Sequence, residues 1–260
     1  MNNHVSGLFL QEGERIDTVN ERLRLIQRTN GLTYGTDAYL LAAFVRPVPT
    51  ARAVDLGSGT GIIPLLLAAK NKVQRVSAVE IQEHFADLIE RNAALNGFSD
   101  RIDTVCADVR ELSAAALGGE VDLVVSNPPY MRCDSGKRNE HEEKYVARHE
   151  VCGSISDFCA AAGRILRYGG RFVCVWRPDR MTELLSAMRE AKLEPKRMVF
   201  VHADEDTPPS MMLVETVKGG APSLRILPPL LLHAPESKRE KKRPLSVRAQ
   251  KIYDTCQFED

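Results

Sequence analysis

The chain has 260 residues, long enough for one large domain or two small ones around a sizeable core. Its 35 Lys and Arg balance its 35 Asp and Glu, so no global field draws nucleic acid, and any such contact needs a local patch. Six cysteines without a Cys-x-x-Cys pair argue against zinc or a disulfide framework. No apolar run approaches the roughly 20 residues that span a bilayer, and Met1-Asn2-Asn3-His4 lacks the features of a secretory leader. The expectation is a reduced, soluble, cytoplasmic protein with no membrane or metal partner.

From the N-terminus, Arg15 to Thr33 is polar with scattered apolar positions and predicts only short strands or turns. Asp37 to Val45 predicts a helix with Thr36 or Asp37 as N-cap, ended by Pro47 and Pro49. A strand–helix alternation then begins. Strands are predicted over Ala53–Leu56, Val76–Glu80, Ile102–Cys106 and Val121–Ser126, and helices over Ile62–Lys70, Ile81–Asn96 and Val109–Ala116. Cys106 and Cys174 fall in apolar strand-like runs, where a reduced thiol packs as a small hydrophobe. Ile155 to Leu166 predicts a helix, a Gly169-Gly170 turn follows, and Arg171 to Trp176 predicts a strand. After the helix Met181–Lys192, the strands Lys196–Val201 and Met211–Val217 have no helix between them and are expected to pair antiparallel. Such alternation predicts a doubly wound, mainly parallel α/β sheet with helices on both faces. An N-terminal extension over 1–50, a central domain over 51–220 and a C-terminal extension over 221–260 follow from the changes in pattern. The extension holds an apolar stretch around Pro228-Pro229, a basic run Lys238–Arg243 and a short helix over Ser246–Tyr253.

Chemistry concentrates at the carboxyl ends of the strands. Asp55-Leu56-Gly57-Ser58-Gly59-Thr60-Gly61 joins the first strand of the alternation to its helix, where glycines permit close backbone approach. The third glycine falls one residue early for a dinucleotide fingerprint, which favours a ligand lying edge-on over the turn. Glu80 ends the next strand, placed either to accept a ribose diol or as a plain strand-end carboxylate; Asp108 is suited to an adenine amino group, to capping the next helix, or to both. Asn127-Pro128-Pro129-Tyr130 follows the strand Val121–Ser126. Two prolines stop the ladder and stiffen the backbone, so that the Asn127 side-chain oxygen and the Pro128 carbonyl can accept hydrogen bonds from a planar amine, with Tyr130 stacked on its base. Such bonding favours a pyramidal nitrogen with its lone pair free to attack. Taken alone, the same four residues also suit a proline turn that merely ends a strand.

The order and spacing of Asp55–Gly61, Glu80, Asp108 and Asn127–Tyr130 resemble class I S-adenosylmethionine-dependent methyltransferases of the amino-methylating Asn-Pro-Pro-Tyr group. More narrowly, Leu32–Asp37 leading into a helix, Gly61–Leu65, Glu80-Ile81-Gln82 and Ala147–Glu150 resemble the bacterial tRNA1(Val) adenine-37 N6-methyltransferase family. The resemblance implies a seven-stranded Rossmann-like sheet with an antiparallel last strand. It implies S-adenosyl-L-methionine as cofactor, leaving as S-adenosylhomocysteine, with Glu80 on the ribose and Asp108 on the adenine. It also implies the methionine part over Gly57, Ser58, Gly59 and Gly61 beside Asp55, Ile81 and Val109 in the pocket wall, and Tyr34 and Thr36 closing the pocket. Its basic run from Lys238 departs from the family pattern.

The function so implied is methyl transfer to the N6 amine of an adenine in RNA, tRNA foremost. The residues leave rivals open: an rRNA guanine-N2 or a protein glutamine-N5 methyltransferase, since each acceptor nitrogen is delocalised, and a non-catalytic RNA-binding protein of this fold. The polar stretch 131–150 suits a lid or a substrate contact, Arg148 and His149 within it suit a phosphate contact or a structural bridge to Glu150, and the basic run suits an RNA backbone or solvent.

Overall fold

A computed structural model describes residues 10–29, 35–129, 153–234 and 243–258. Its elements in chain order begin with a hairpin of β1 (Glu14–Thr18) and β2 (Arg24–Arg28), then α1 (Thr36–Phe44). The alternation follows as β3 (Arg52–Leu56), α2 (Ile62–Ala69), β4 (Arg75–Glu80), α3 (Glu83–Leu95), β5 (Ile102–Cys106) and β6 (Val121–Ser126). After it come α4 (Ile155–Ile165), β7 (Leu166–Trp176), α5 (Met181–Glu190), β8 (Leu193–His202) and β9 (Pro209–Lys218). The short strands β10 (Arg225–Ile226) and β11 (Leu230–Leu231) and the helix α6 (Val247–Thr255) complete the described chain.

The main sheet runs β10-β8-β9-β7-β6-β3-β4-β5, with β11 also on β8. The strands β3 to β7 pair in parallel, and β9 lies antiparallel between β7 and β8. The expected seven strands are therefore present in order, but the sheet has nine: the Pro228-Pro229 stretch adds two short edge strands parallel to β8. Side chains alternate between two apolar layers along each strand, as a sheet covered on both faces requires. Ala53, Leu123, Val125 and Val173 face α1, α2 and α6; Val54, Leu56, Val124 and Phe172 face α4 and α5.

Two expectations fail for identifiable reasons. No α-helix forms over Val109–Ala116; a turn and a 3-10 segment, Ala115–Leu117, stand there. Arg164 of α4 donates from Nε to the Leu112 carbonyl at 2.7 Å and from Nη2 to those of Val109 and Arg110 at 2.9 and 3.1 Å, taking acceptors a helix would need. Cys106 does not pack as a hydrophobe but is exposed, because β5 is the sheet's edge strand. A smaller difference concerns Gly169-Gly170: β7 begins already at Leu166, and residues 167–170 bulge out of register before the ladder with β6 resumes at Arg171.

The flanking segments pack onto the same core. The hairpin is bound to α3 through two asparagines one turn apart, spaced to read alternate residues of a strand. Asn92 Oδ1 accepts the Ile26 amide at 2.6 Å, and its Nδ2 donates to the carbonyls of Ile26 and Thr60, both at 3.0 Å. Asn96 makes the matching pair with Arg24 at 2.9 and 2.7 Å. Asn92 is fully buried, so Asn92→Ala is expected to lower stability by about 1–3 kcal/mol through the stranded Ile26 groups. An unchanged urea midpoint would remove it from this role. At the other end, Leu227, Leu230, Ala249 and Ile252 enter the α1 side of the core, Tyr253 stacks on Tyr39 of α1, and Ser246 caps α6 by accepting from the Ala249 amide.

Candidate active site

The carboxyl ends of β6, β3, β4 and β5 lie side by side, and the chain turns from one half of the sheet to the other between β3 and β6. That is where a crevice opens in doubly wound sheets. The turn after β3 bends back over its neighbour: the Gly57 and Ser58 amides donate to the Val79 carbonyl at 2.9 and 3.0 Å, and Ser58 Oγ donates to the Asp55 carbonyl at 3.0 Å. Gly57, Gly59 and Gly61 all have left-handed backbone, at φ +73°, +54° and +81°. A Cβ at Gly57 would press on Phe158 and one at Gly61 on Ile89, whereas at Gly59 nothing among the described residues stands within 4 Å. The outer two glycines satisfy conformation and packing together; the middle one leaves the crest of the turn open.

Glu80 locks that turn from the next strand. Its Oε2 accepts the Gly59 amide at 2.9 Å and its Oε1 accepts the Gln82 amide at 3.0 Å. Asp55, beneath the turn, is fully buried, and among the described residues neither carboxylate oxygen has a hydrogen-bond partner. Burial pushes its carboxyl up to about 7; the neighbouring Ser58 hydroxyl, which donates to the Asp55 carbonyl and not to the carboxylate, opposes the shift, and the Glu80 charge adds to it. Asp108 caps no helix. It accepts the Arg110 amide at 2.8 Å and pairs with the Arg110 guanidinium, which holds its carboxyl below the usual carboxylate range. Ile81 is partly buried at the end of β4, and Val109 packs into the core with Leu112 and Leu117.

The proline corner adjoins the glycine turn. Ser126 pairs with Leu56 in the ladder and its Oγ donates to the Leu56 carbonyl at 2.8 Å, so Asn127 leaves β6 directly beside Gly57. Asn127 Nδ2 donates to Asp37 Oδ2 at 2.9 Å. This contact joins the start of α1, and hence Thr36 in its first turn, to the corner. Neither Thr36 nor Asp37 is the N-cap; that position falls to Gly35, without a side-chain bond. Pro128 is buried and Pro129 half-buried. Tyr34, Tyr130, Arg148, His149 and Lys238–Lys242 lie outside the described residues. Sequence reasoning missed Asp37 as a site residue, because its link to Asn127 spans 90 positions. A cavity of about 700 Å³ lies at the opposite, amino end of the strands, lined by Arg52, Arg75 and Arg101, whose guanidiniums are bonded to Asp103, Asn71 and backbone carbonyls.

The family model described as methyltransferase small domain matches residues 29–196. The chain belongs to this family. A tRNA1(Val) (adenine(37)-N6)-methyltransferase of Porphyromonas gingivalis (strain ATCC 33277) is 30% identical over 201 residues, covering 75% of this chain and 78% of the relative. A protein of the same name from Parabacteroides distasonis is 30% identical over 185 residues, covering 70% and 75%. Among solved structures, a predicted O-methyltransferase, Atu636 from Agrobacterium tumefaciens, superposes with TM-score 0.67 at 22% identity over 86% of this chain and 98% of that one. The M. jannaschii tRNA m1G37 methyltransferase does so with TM-score 0.53 at 15% identity, over 80% and 58%. These two likenesses carry the fold alone.

This methyltransferase uses S-adenosylmethionine, and the residues present fit that group. An open glycine crest suits a ligand lying across it, a strand-end carboxylate held by two amides keeps lone pairs for a diol, and an orphaned buried carboxylate suits a cationic amino acid end. When bound, the cofactor supplies a methyl group on a positively charged sulfur.

Asp55 also makes a pH prediction. Its proton is held more firmly in the folded chain than at the ordinary 3.8, so its contribution to stability is fullest below about 4 and declines as pH rises to about 7. Asp55→Asn should flatten that part of the curve of melting temperature against pH in the cofactor-free enzyme. An unchanged slope would mean that the carboxyl is ionised at low pH after all.

Proposed function

We propose that this methyltransferase acts on the exocyclic N6 amine of an adenine in RNA, tRNA foremost, with S-adenosylhomocysteine leaving as product. Residues 51–220 form the catalytic unit, with the segment 1–50 an N-terminal extension on it and 221–260 a C-terminal extension carrying the basic run. Glu80 takes the ribose hydroxyls and Asp108 the adenine of the cofactor, with Ile81 and Val109 in the wall. The turn from Asp55 through Gly57, Ser58, Gly59 and Gly61 underlies the methionine part, and Tyr34 and Thr36 close the pocket. The names shared by the relatives in P. gingivalis and P. distasonis support this acceptor.

The observation that carries the reading is the ladder pair Ser126–Leu56, which seats Asn127 one strand from the open crest of Gly59. An amine gripped there by Asn127 Oδ1 and the Pro128 carbonyl faces the place a methyl donor over that crest would occupy. The base, stacked on Tyr130, must first leave its own stack to enter. A cofactor bound there would supply the methyl carbon, its carbon–sulfur bond giving way with the electron pair to sulfur as the amine nitrogen bonds to that carbon, and the amine proton would pass to water. The leaving group is already activated, so the step needs neither a metal nor a general base. The protein contributes orientation and hydrogen bonds to the charge that develops on nitrogen. A cytoplasmic enzyme would meet its tRNA there.

The test is transfer of labelled methyl to separate tRNA, rRNA and protein fractions, followed by digestion. N6-methyladenosine from tRNA is expected. Label in N2-methylguanosine or methylglutamine would replace the acceptor, and cofactor binding with no transfer to any fraction would leave only a binding protein.

A further inference from the structure

We propose that Asp37 is a positioning residue for the transfer: its carboxylate holds the Asn127 side-chain amide in the one orientation that presents Oδ1 to the incoming amine. The inference rests on the function proposed above. An amide can turn over and exchange its oxygen for its NH2. A carboxylate accepts hydrogen bonds only, so the 2.9 Å contact between Asp37 Oδ2 and Asn127 must be made by Nδ2. With Nδ2 committed to Asp37, Oδ1 is turned to the other side of the amide, where an acceptor is needed. Drawing on the N–H also pushes electron density toward Oδ1, which strengthens it for a nitrogen that becomes positive as the methyl arrives.

Three further features of this chain bear on Asp37. Its other oxygen, Oδ1, accepts the Ala38 amide at 2.9 Å, which fixes the carboxylate across the first turn of α1. That position sits where the helix dipole favours negative charge. The residue before that turn is glycine, and a Cβ at Gly35 would stand 2.5 Å from Asp37 Oδ1, so any other residue would displace the carboxylate. The far end of α1 is clamped: the Lys72 ammonium donates to the carbonyls of Ala42, Ala43 and Val45 at 2.8, 2.9 and 2.7 Å, and Arg197 Nη2 donates to that of Phe44 at 2.8 Å. Tyr39 OH donates to the Tyr253 carbonyl at 2.6 Å, adding the C-terminal helix to the brace. Were Asp37 only a helix-start acid, its second oxygen could face water. It is spent instead on the asparagine of the reaction corner.

The experiment uses full-length enzyme with tRNA as acceptor and follows kcat, both KM values, cofactor Kd and the side-chain amide resonances of Asn127. Asp37→Ala is expected to lower kcat by about 10- to 100-fold, the scale of a misplaced catalytic group, with KM and Kd within about threefold and the Asn127 Nδ2 resonances shifted. Gly35→Ala, which displaces the carboxylate without removing it, should show the same pattern more weakly. Rescue decides between positioning and general support. Asn127→Asp alone sets two carboxylates against each other, and adding Asp37→Asn restores the donor–acceptor pair with roles exchanged. The double variant should recover at least about tenfold over Asn127→Asp. Unmoved Asn127 resonances in Asp37→Ala, or a double variant no better than Asn127→Asp, would overturn the proposal. If native enzyme transfers methyl to no RNA, the function reading fails instead, and the amide resonances alone then decide whether Asp37 holds Asn127.

Discussion

Asn127→Ala is expected to lower kcat for methyl transfer by about 10²- to 10³-fold while cofactor affinity stays within a few-fold. The size follows from losing one preorganised acceptor at the atom where charge develops. The selectivity follows from position: Asn127 lies beyond the end of β6, whereas the turn proposed to underlie the cofactor is built from β3 and locked by Glu80 on β4. Pre-steady-state transfer together with calorimetric binding of S-adenosylmethionine measures both. A large loss of binding would make Asn127 part of the cofactor pocket, and an unchanged kcat would remove the proline corner from the chemistry.

Glu80→Ala should act in the opposite way, weakening cofactor binding by about 2–4 kcal/mol, roughly 30- to 900-fold. Hydrogen bonds to a charged group contribute about 1.5–3 kcal/mol each, and water entering in place of the carboxylate recovers part of what the two ribose hydroxyls lose. The residue also anchors the turn, because its Oε2 holds the Gly59 amide and its Oε1 the Gln82 amide. Glu80→Gln keeps an oxygen for one of those amides but loses the charge, so it should fall between the native enzyme and alanine. At saturating cofactor, kcat should return to within a few-fold of native for both variants. Binding of adenosine alone should weaken in parallel with that of the full cofactor. If only the full cofactor is affected, Glu80 serves the methionine end and the ribose assignment is wrong.

Much of this architecture was legible in local chemistry. Pro47 and Pro49 after α1 and apolar runs of strand length each act over a few residues, so their consequences can be read in place. The same holds for the antiparallel pairing of β8 and β9, which follows from the absence of a helix between them. The glycine turn and Glu80 come together because consecutive parallel strands joined by helices end on the same side. Departures arose where a distant group outbid local preference. Arg164 took the carbonyls that a helix over Val109–Ala116 would have used, and Asp108 turned from capping to an ion pair with Arg110.

The amino acid order alone was enough to specify the doubly wound frame, the sheet edge where the glycine turn, Glu80 and Asn127 adjoin, and the asparagine–proline corner, since all three depend on periodicity, backbone stereochemistry and spacing along the chain. Folding in three dimensions was needed to pair Asp37 with Asn127, to bury Asp55 beneath the glycine turn and to bring the C-terminal helix against α1. Hydrogen bonds and desolvation act over a few ångströms of space whatever the separation in sequence, so no local pattern announces which remote partner a buried polar group will meet.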